Sequence, residues 1–177
     1  MHETHDYKLV VLYDMLGPHQ KILQKLNAVA TVSVLICCAV GSTLNYCLRM
    51  YGQAGGMYFV YILCGSGLCL VYPYVHELAH AFAVIAVKGK APSVKFGKLA
   101  ACCGSPFIIF SKPQYFFAAA FPFLFFGVAA IPVCIFLPAM FFPIAFMPAV
   151  YNLFCSMGDF YMINKAAKAP RGCAIID

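Results

Sequence analysis

The chain has 177 residues, of which 63% are apolar and only 10% charged, with a formal net charge of +6. Soluble domains carry about 25% charged residues, so this balance excludes an ordinary soluble enzyme and points to an integral membrane protein. The apolar residues come in blocks of about 20 or more, without the alternation of barrel strands, so the expected fold is an all-α membrane protein.

Residues 1–26 are polar to amphipathic. Leu9, Leu12, Tyr13 and Leu16 fall at i, i+3, i+4 and i+7 before Gly17-Pro18, the pattern of a short helix lying on the membrane surface. His2, Glu3 and His5 could form a metal cluster but read more simply as a solvated terminal tail. Nothing here resembles a cleavable secretory signal.

Four transmembrane helices are expected, at about 27–48, 57–87, 115–137 and 139–163, followed by a basic tail at 164–177. Eleven of the twelve Lys and Arg residues lie in segments 1–26, 88–114 and 164–177, and only Arg49 lies outside them. The positive-inside rule then places both termini and the 88–114 loop in the cytoplasm, with 27–163 as the membrane domain. Lysines facing anionic headgroups of the lipid bilayer account for the net charge, and no nucleic-acid partner is needed. Seven of the ten cysteines, including Cys69, Cys134 and Cys155, fall inside predicted spans and read as small core residues.

Pro73 should bend the second span, and Pro122, Pro132, Pro143 and Pro148 the later ones. After the second span, 93–96 and 107–110 look strand-like between Gly97, Gly104 and Pro106, which predicts a short hairpin or re-entrant loop.

Inside the second span lies His76-Glu77-Leu78-Ala79-His80. Ionisable groups at bilayer depth cost roughly 2.5 to 3.5 kcal/mol each on insertion scales, so three in five positions call for a partner or a function. On a helix His76 and His80 are one turn apart on one face, where two imidazoles reach the same ion, and Glu77 stands beside them to hold a water. That is the pattern of a Zn2+ hydrolase, in which a third protein ligand leaves a fourth position open.

The only other carboxylate in the four spans is Asp159. His80 lies about 12 Å before Lys88 and Asp159 about 9 Å before Lys165 at ~1.5 Å per residue, which puts the two at similar depth and makes Asp159 the expected third ligand. A carboxylate paired with Lys165 or a lipid ammonium is the plainer alternative, and Cys155 is an alternative soft ligand. Asn152, two turns before Asp159, would face the same cavity and steady a substrate carbonyl or oxyanion, or else bridge helices.

Together with Val94-Lys95-Phe96-Gly97, Phe121-Pro122, Ser156-Met157-Gly158-Asp159 and Pro170-Arg171-Gly172-Cys173-Ala174, the histidine motif resembles the zincin peptidase family of small bacterial membrane proteins, long grouped as a domain of unknown function. More distantly it is similar to site-2 intramembrane metalloproteases, although Gly158 precedes Asp159 where those enzymes have Asp followed by Gly, and their Asn-x-x-Pro element is missing after Asn152. The resemblance implies zinc on His76, His80 and Asp159, a catalytic Glu77, and a bacterial cytoplasmic membrane location.

The expected activity is zinc-dependent hydrolysis of a peptide bond in a membrane-associated protein substrate near the cytoplasmic side, with Asn152 assisting Glu77. The alternative is a catalytically inactive zinc-binding membrane protein that acts as a partner-binding scaffold. Glu77, which binding alone does not need, favours hydrolysis. A cation transporter is disfavoured by the lack of an internal repeat.

Overall fold

Long apolar runs punctuated by glycine and proline determine the main elements. In a computed structural model, the described residues are 9–11, single positions between 28 and 47, 55–96, 101–105, 107–138 and 141–176. Helix α1 spans Gly55–Lys88, α2 Lys112–Phe136, α3 Phe142–Cys155 and α4 Met157–Lys168. Helix α1 stops at Gly89, whose φ of 65° suits a residue without a side chain. Helix α2 begins at Ser111, whose N–H donates to Gln114 Oε1 at 3.0 Å, and Pro113 sits in the first turn, where its missing donor costs nothing.

Two helical stretches, Val60–Lys88 and Lys112–Phe136, are long and apolar enough to cross a membrane. Only 11% of the most apolar stretch of α2 is buried in the protein, and Leu70, Phe82, Val128, Ile135 and Phe136 point outward. A face of that kind needs cover from lipid or from another chain. In the first apolar run, the described positions Ala28, Val32, Leu35, Ile36, Ala39, Val40, Thr43 and Cys47 are helical. Leu35 packs against the buried cluster of Cys69, Tyr72, Met147 and Tyr151.

The expected second and third spans agree with α1 and α2 to within a few residues. The fourth does not form one helix. It divides at Ser156, which itself keeps right-handed helical torsions (φ −79°, ψ −5°), and α4 starts at the next residue.

Five short strands complete the fold: β1 Leu9–Val11, β2 Ser93–Phe96, β3 Ala101–Gly104, β4 Ile109–Phe110 and β5 Ala174–Ile176. Strands β2 and β3 form an antiparallel hairpin in which Val94 faces Cys103. The strand expected at 107–110 does not pair with 93–96, because β4 joins β5 instead and β5 pairs in parallel with β1, giving the order β1-β5-β4.

One expectation is thereby corrected. Leu9 lies in a strand, not a surface helix, while Leu12, Tyr13 and Leu16 fall outside the described residues. Within the basic segment 164–177, Cys173, Ala174 and Ile175 are buried, and Cys173 and Ile175 share a cluster with Ala83, Val84, Phe110, Tyr115, Ala118 and Ala166. Burying that apolar strand removes it from water, which a free tail would not do.

The most extensive helix contact is between α1 and α3. It depends on Gly65, where an added Cβ would stand 2.7 Å from the Pro143 carbonyl oxygen and 3.0 Å from Met147 Sδ. Small residues at such crossings let backbones approach closely. Gly65→Ala should therefore lower the melting temperature in detergent, at a cost of about 1–3 kcal/mol for overpacking. Gly67→Ala, whose Cβ meets nothing within 4 Å, should leave it unchanged or raise it.

Candidate metal centre

The histidines sit between two packed layers of the same helix. Tyr72, one turn before His76, belongs to the cluster with Met147 and Tyr151, and Ala83, just after His80, belongs to the cluster with Phe110 and Ile175. With layers fixed on both sides, the face of α1 that carries positions 76 and 80 is held toward α4. The break at Ser156 lets α4 start where Asp159 falls in its first turn.

Asp159 meets both imidazoles. Its Oδ2 lies 3.0 Å from His76 Nε2 and its Oδ1 lies 3.2 Å from His80 Nε2. The alternative pairing with Lys165 is not formed, since Lys165 Nζ stands 4.6 Å over the Tyr161 ring. His76 is almost fully buried, whereas the side chains of His80 and Asp159 keep 13% and 22% of their surface exposed, so the cluster opens on their side.

His80 is aimed by a main-chain atom. Its Nδ1–H donates to the Ala118 carbonyl at 2.9 Å, which leaves Nε2 directed at Asp159. In a regular helix that carbonyl would accept the N–H of residue 122, but residue 122 is proline and has none. Pro122 thus frees the oxygen that orients His80. On His76 the second nitrogen, Nδ1, is buried without a partner, so that ring is held from its Nε2 side.

Glu77 lies on the adjacent face. Its Oε2 accepts the Cys103 backbone N–H at 2.6 Å, and Tyr74, three residues earlier, packs its ring 6.1 Å from Phe96. These contacts seat the β2–β3 hairpin against α1 next to the histidines.

Asn152 bridges helices. It is buried at 1% exposure, its Oδ1 accepts Tyr72 Oη–H at 2.5 Å, and its Nδ2 donates to the Phe123 carbonyl at 3.3 Å. The side chain ties α1, α2 and α3 together, the helix-bridging one of its two expected roles. The two-turn spacing to Asp159 was a sound reading of helical phase, but the break at Ser156 lies between them. Cys155 packs in the Tyr72 layer and is not part of the ligand cluster. His2, Glu3 and His5 lie outside the described residues.

The donor set fits a metal. One atom from each of His76, His80 and Asp159 lies within 4.8 Å of the others, and this is the metal-capable group of His, Cys, Asp and Glu found among the described residues. Tetrahedral zinc with bonds of ~2.0–2.1 Å needs donors about 3.4 Å apart, and the imidazole–carboxylate distances, 3.0 Å to Oδ2 and 3.2 Å to Oδ1, are of that order. A buried carboxylate facing two imidazoles also requires positive charge between them, whether protons or a cation.

The family model described as "Putative zincin peptidase" matches residues 69–174. The chain belongs to that family. No curated protein and no solved structure matches it. Membership implies zinc and the metallopeptidase class, and the matched region contains His76, Glu77, His80 and Asp159.

Sequence reading missed Ala118 and Cys103 because both act through the main chain. Tyr72 carried a signal, since positions 72, 76 and 80 follow one another at one-turn spacing.

Purified protein should hold one zinc per chain, lost in His80→Ala and Asp159→Ala under identical washing and kept in Cys155→Ser. Retention by Asp159→Ala would remove it from the ligand set. Pro122→Ala, which restores a competing donor to the Ala118 carbonyl, should weaken zinc binding by about tenfold without unfolding the chain. Pro132→Ala, far along α2, should leave affinity unchanged in the same competition assay.

Proposed function

We propose that this chain is a membrane-embedded zinc metallopeptidase that hydrolyses a peptide bond in a membrane-associated protein near the cytoplasmic side. The observation that carries the reading is the convergence of His76, His80 and Asp159 beside a carboxylate, Glu77, that the ligand set itself does not need. His76, His80 and Asp159 would hold the metal. When bound, zinc supplies Lewis acidity that polarises a carbonyl and makes water a stronger acid.

Glu77 performs the proton work. With Oε2 held by the Cys103 N–H, Oε1 faces the attacking water, takes its proton as the C–O bond forms, and returns it to the amine nitrogen as the C–N bond breaks. The adjacent β2–β3 ribbon would hold an unwound substrate segment by strand pairing, since a helical substrate keeps its carbonyls engaged.

Sheet topology supports four spans. Strands β1, β4 and β5 share one sheet, so residues 9–11, 109–110 and 174–176 lie on one side of any bilayer. Helix α1 crosses once between β1 and β4 and requires a second crossing, which the apolar run at 27–48 provides. Helix α2 crosses once between β4 and β5 and likewise requires a return, for which α3 and α4 taken together are long enough. The lysines of the 88–114 loop then favour a cytoplasmic location for the sheet.

Glu77→Gln should retain one zinc per chain yet lose cleavage of a membrane-anchored peptide library by about 10²–10⁴-fold, read by mass spectrometry. Equal cleavage by parent and variant would overturn the mechanism. A zinc-loaded parent that cleaves nothing while capturing intact peptides would favour the scaffold reading.

A further inference from the structure

A second polar feature lies apart from the metal centre. Where α1 ends and α2 begins, the chain forms an open pocket of about 610 Å3 against β4 and β5. Three cationic residues line it, Lys88, Lys112 and Arg171, with Ile109 and Phe110 among the apolar walls, and no Asp or Glu contributes to the lining. Lys88 Nζ stands 5.6 Å over the Phe110 ring, and Lys112 Nζ donates to the Ala167 and Ala169 carbonyls, contacts that position both charges without neutralising them. Arg171 is exposed. Among the described residues the ion pairs are those of Asp159 with the histidines, so these three cations have no carboxylate partner there.

Three like charges around one cavity repel one another unless an anion enters. The kind of anion follows from position. Lys88 is the last residue of one helix able to cross a membrane and Lys112 the first of the other, so the cavity lies at the level where both leave the apolar layer. Phospholipid phosphates occupy that level, and a guanidinium fork matches phosphate oxygens. The mixed lining suits a charged group joined to an apolar body better than a fully hydrated ion.

We infer that this cavity binds the phosphate of an anionic phospholipid, with Arg171 and Lys88 holding the phosphodiester and the Ile109–Phe110 wall accommodating its glycerol end. The inference rests on α1 and α2 crossing the bilayer and is independent of peptide hydrolysis.

The test uses the full chain. Alkaline carbonate extraction comes first, and release into the soluble fraction would overturn the membrane reading and the lipid site together. For chain that stays in the membrane pellet, protein purified in neutral detergent is titrated with short-chain phosphatidylglycerol, phosphatidylcholine or inorganic phosphate, with bound mass and melting temperature as readouts. Phosphatidylglycerol should bind at one per chain and raise the melting temperature saturably. Lys88→Gln with Arg171→Gln should weaken that binding by more than about tenfold, and the exposed Arg171→Gln alone should do so in the same direction. Lys168→Gln, outside the cavity, should match the parent. Failure of phosphatidylglycerol to bind saturably, equal binding of phosphatidylcholine, an equal effect of inorganic phosphate, or unchanged affinity in both Arg171 variants would each overturn the assignment, while zinc content reports separately on the metal centre.

Discussion

The contact on which the rest depends is the carboxylate of Asp159 set between His76 and His80. A charged oxygen pair in apolar surroundings is costly unless positive charge lies close and the geometry is held. The helices are arranged to hold it. Close approach at Gly65 brings α3 against α1, the break at Ser156 sets the start of α4, and the Ala118 carbonyl fixes one imidazole.

A second buried network supports the first from one turn away. Tyr72, Asn152 and Phe123 join three helices through two hydrogen bonds. A hydroxyl and an amide in an apolar interior are stable only when paired, and their pairing restricts how α1 can rotate. Rotation of α1 would carry His76 and His80 away from Asp159, so this polar pair contributes to the site without belonging to it.

Much of this was legible in the sequence, and the failures have identifiable causes. Two of the spans expected from apolar length appear as α1 and α2, because a continuous apolar run of that length has few other stable forms. Asp159 was reachable because it is the sole carboxylate of the later spans and helical rise sets its depth. The sheet was not legible. Leu9-Val10-Val11 is a short apolar stretch compatible with either period, and its partner Ala174-Ile175-Ile176 is too short to show one. What makes both into strands is mutual pairing across most of the chain, which local pattern does not contain. For Asn152, phase says which face the residue occupies but not that a tyrosine hydroxyl is waiting there. The break at Ser156 has no proline to announce it.

The atom that aims His80 belongs to the main chain, and no codon specifies it. Replacing Ala118 changes only bulk in a packed position, while the oxygen stays wherever the backbone carries it. The information that makes this oxygen available is written four residues later, in a proline whose own side chain has no polar group to offer the metal centre. Divergence within such a sequence would therefore leave the orienting group invisible at the position that makes the contact, and the trace of selection on the imidazole's direction would fall on a residue that reads as an ordinary helix kink.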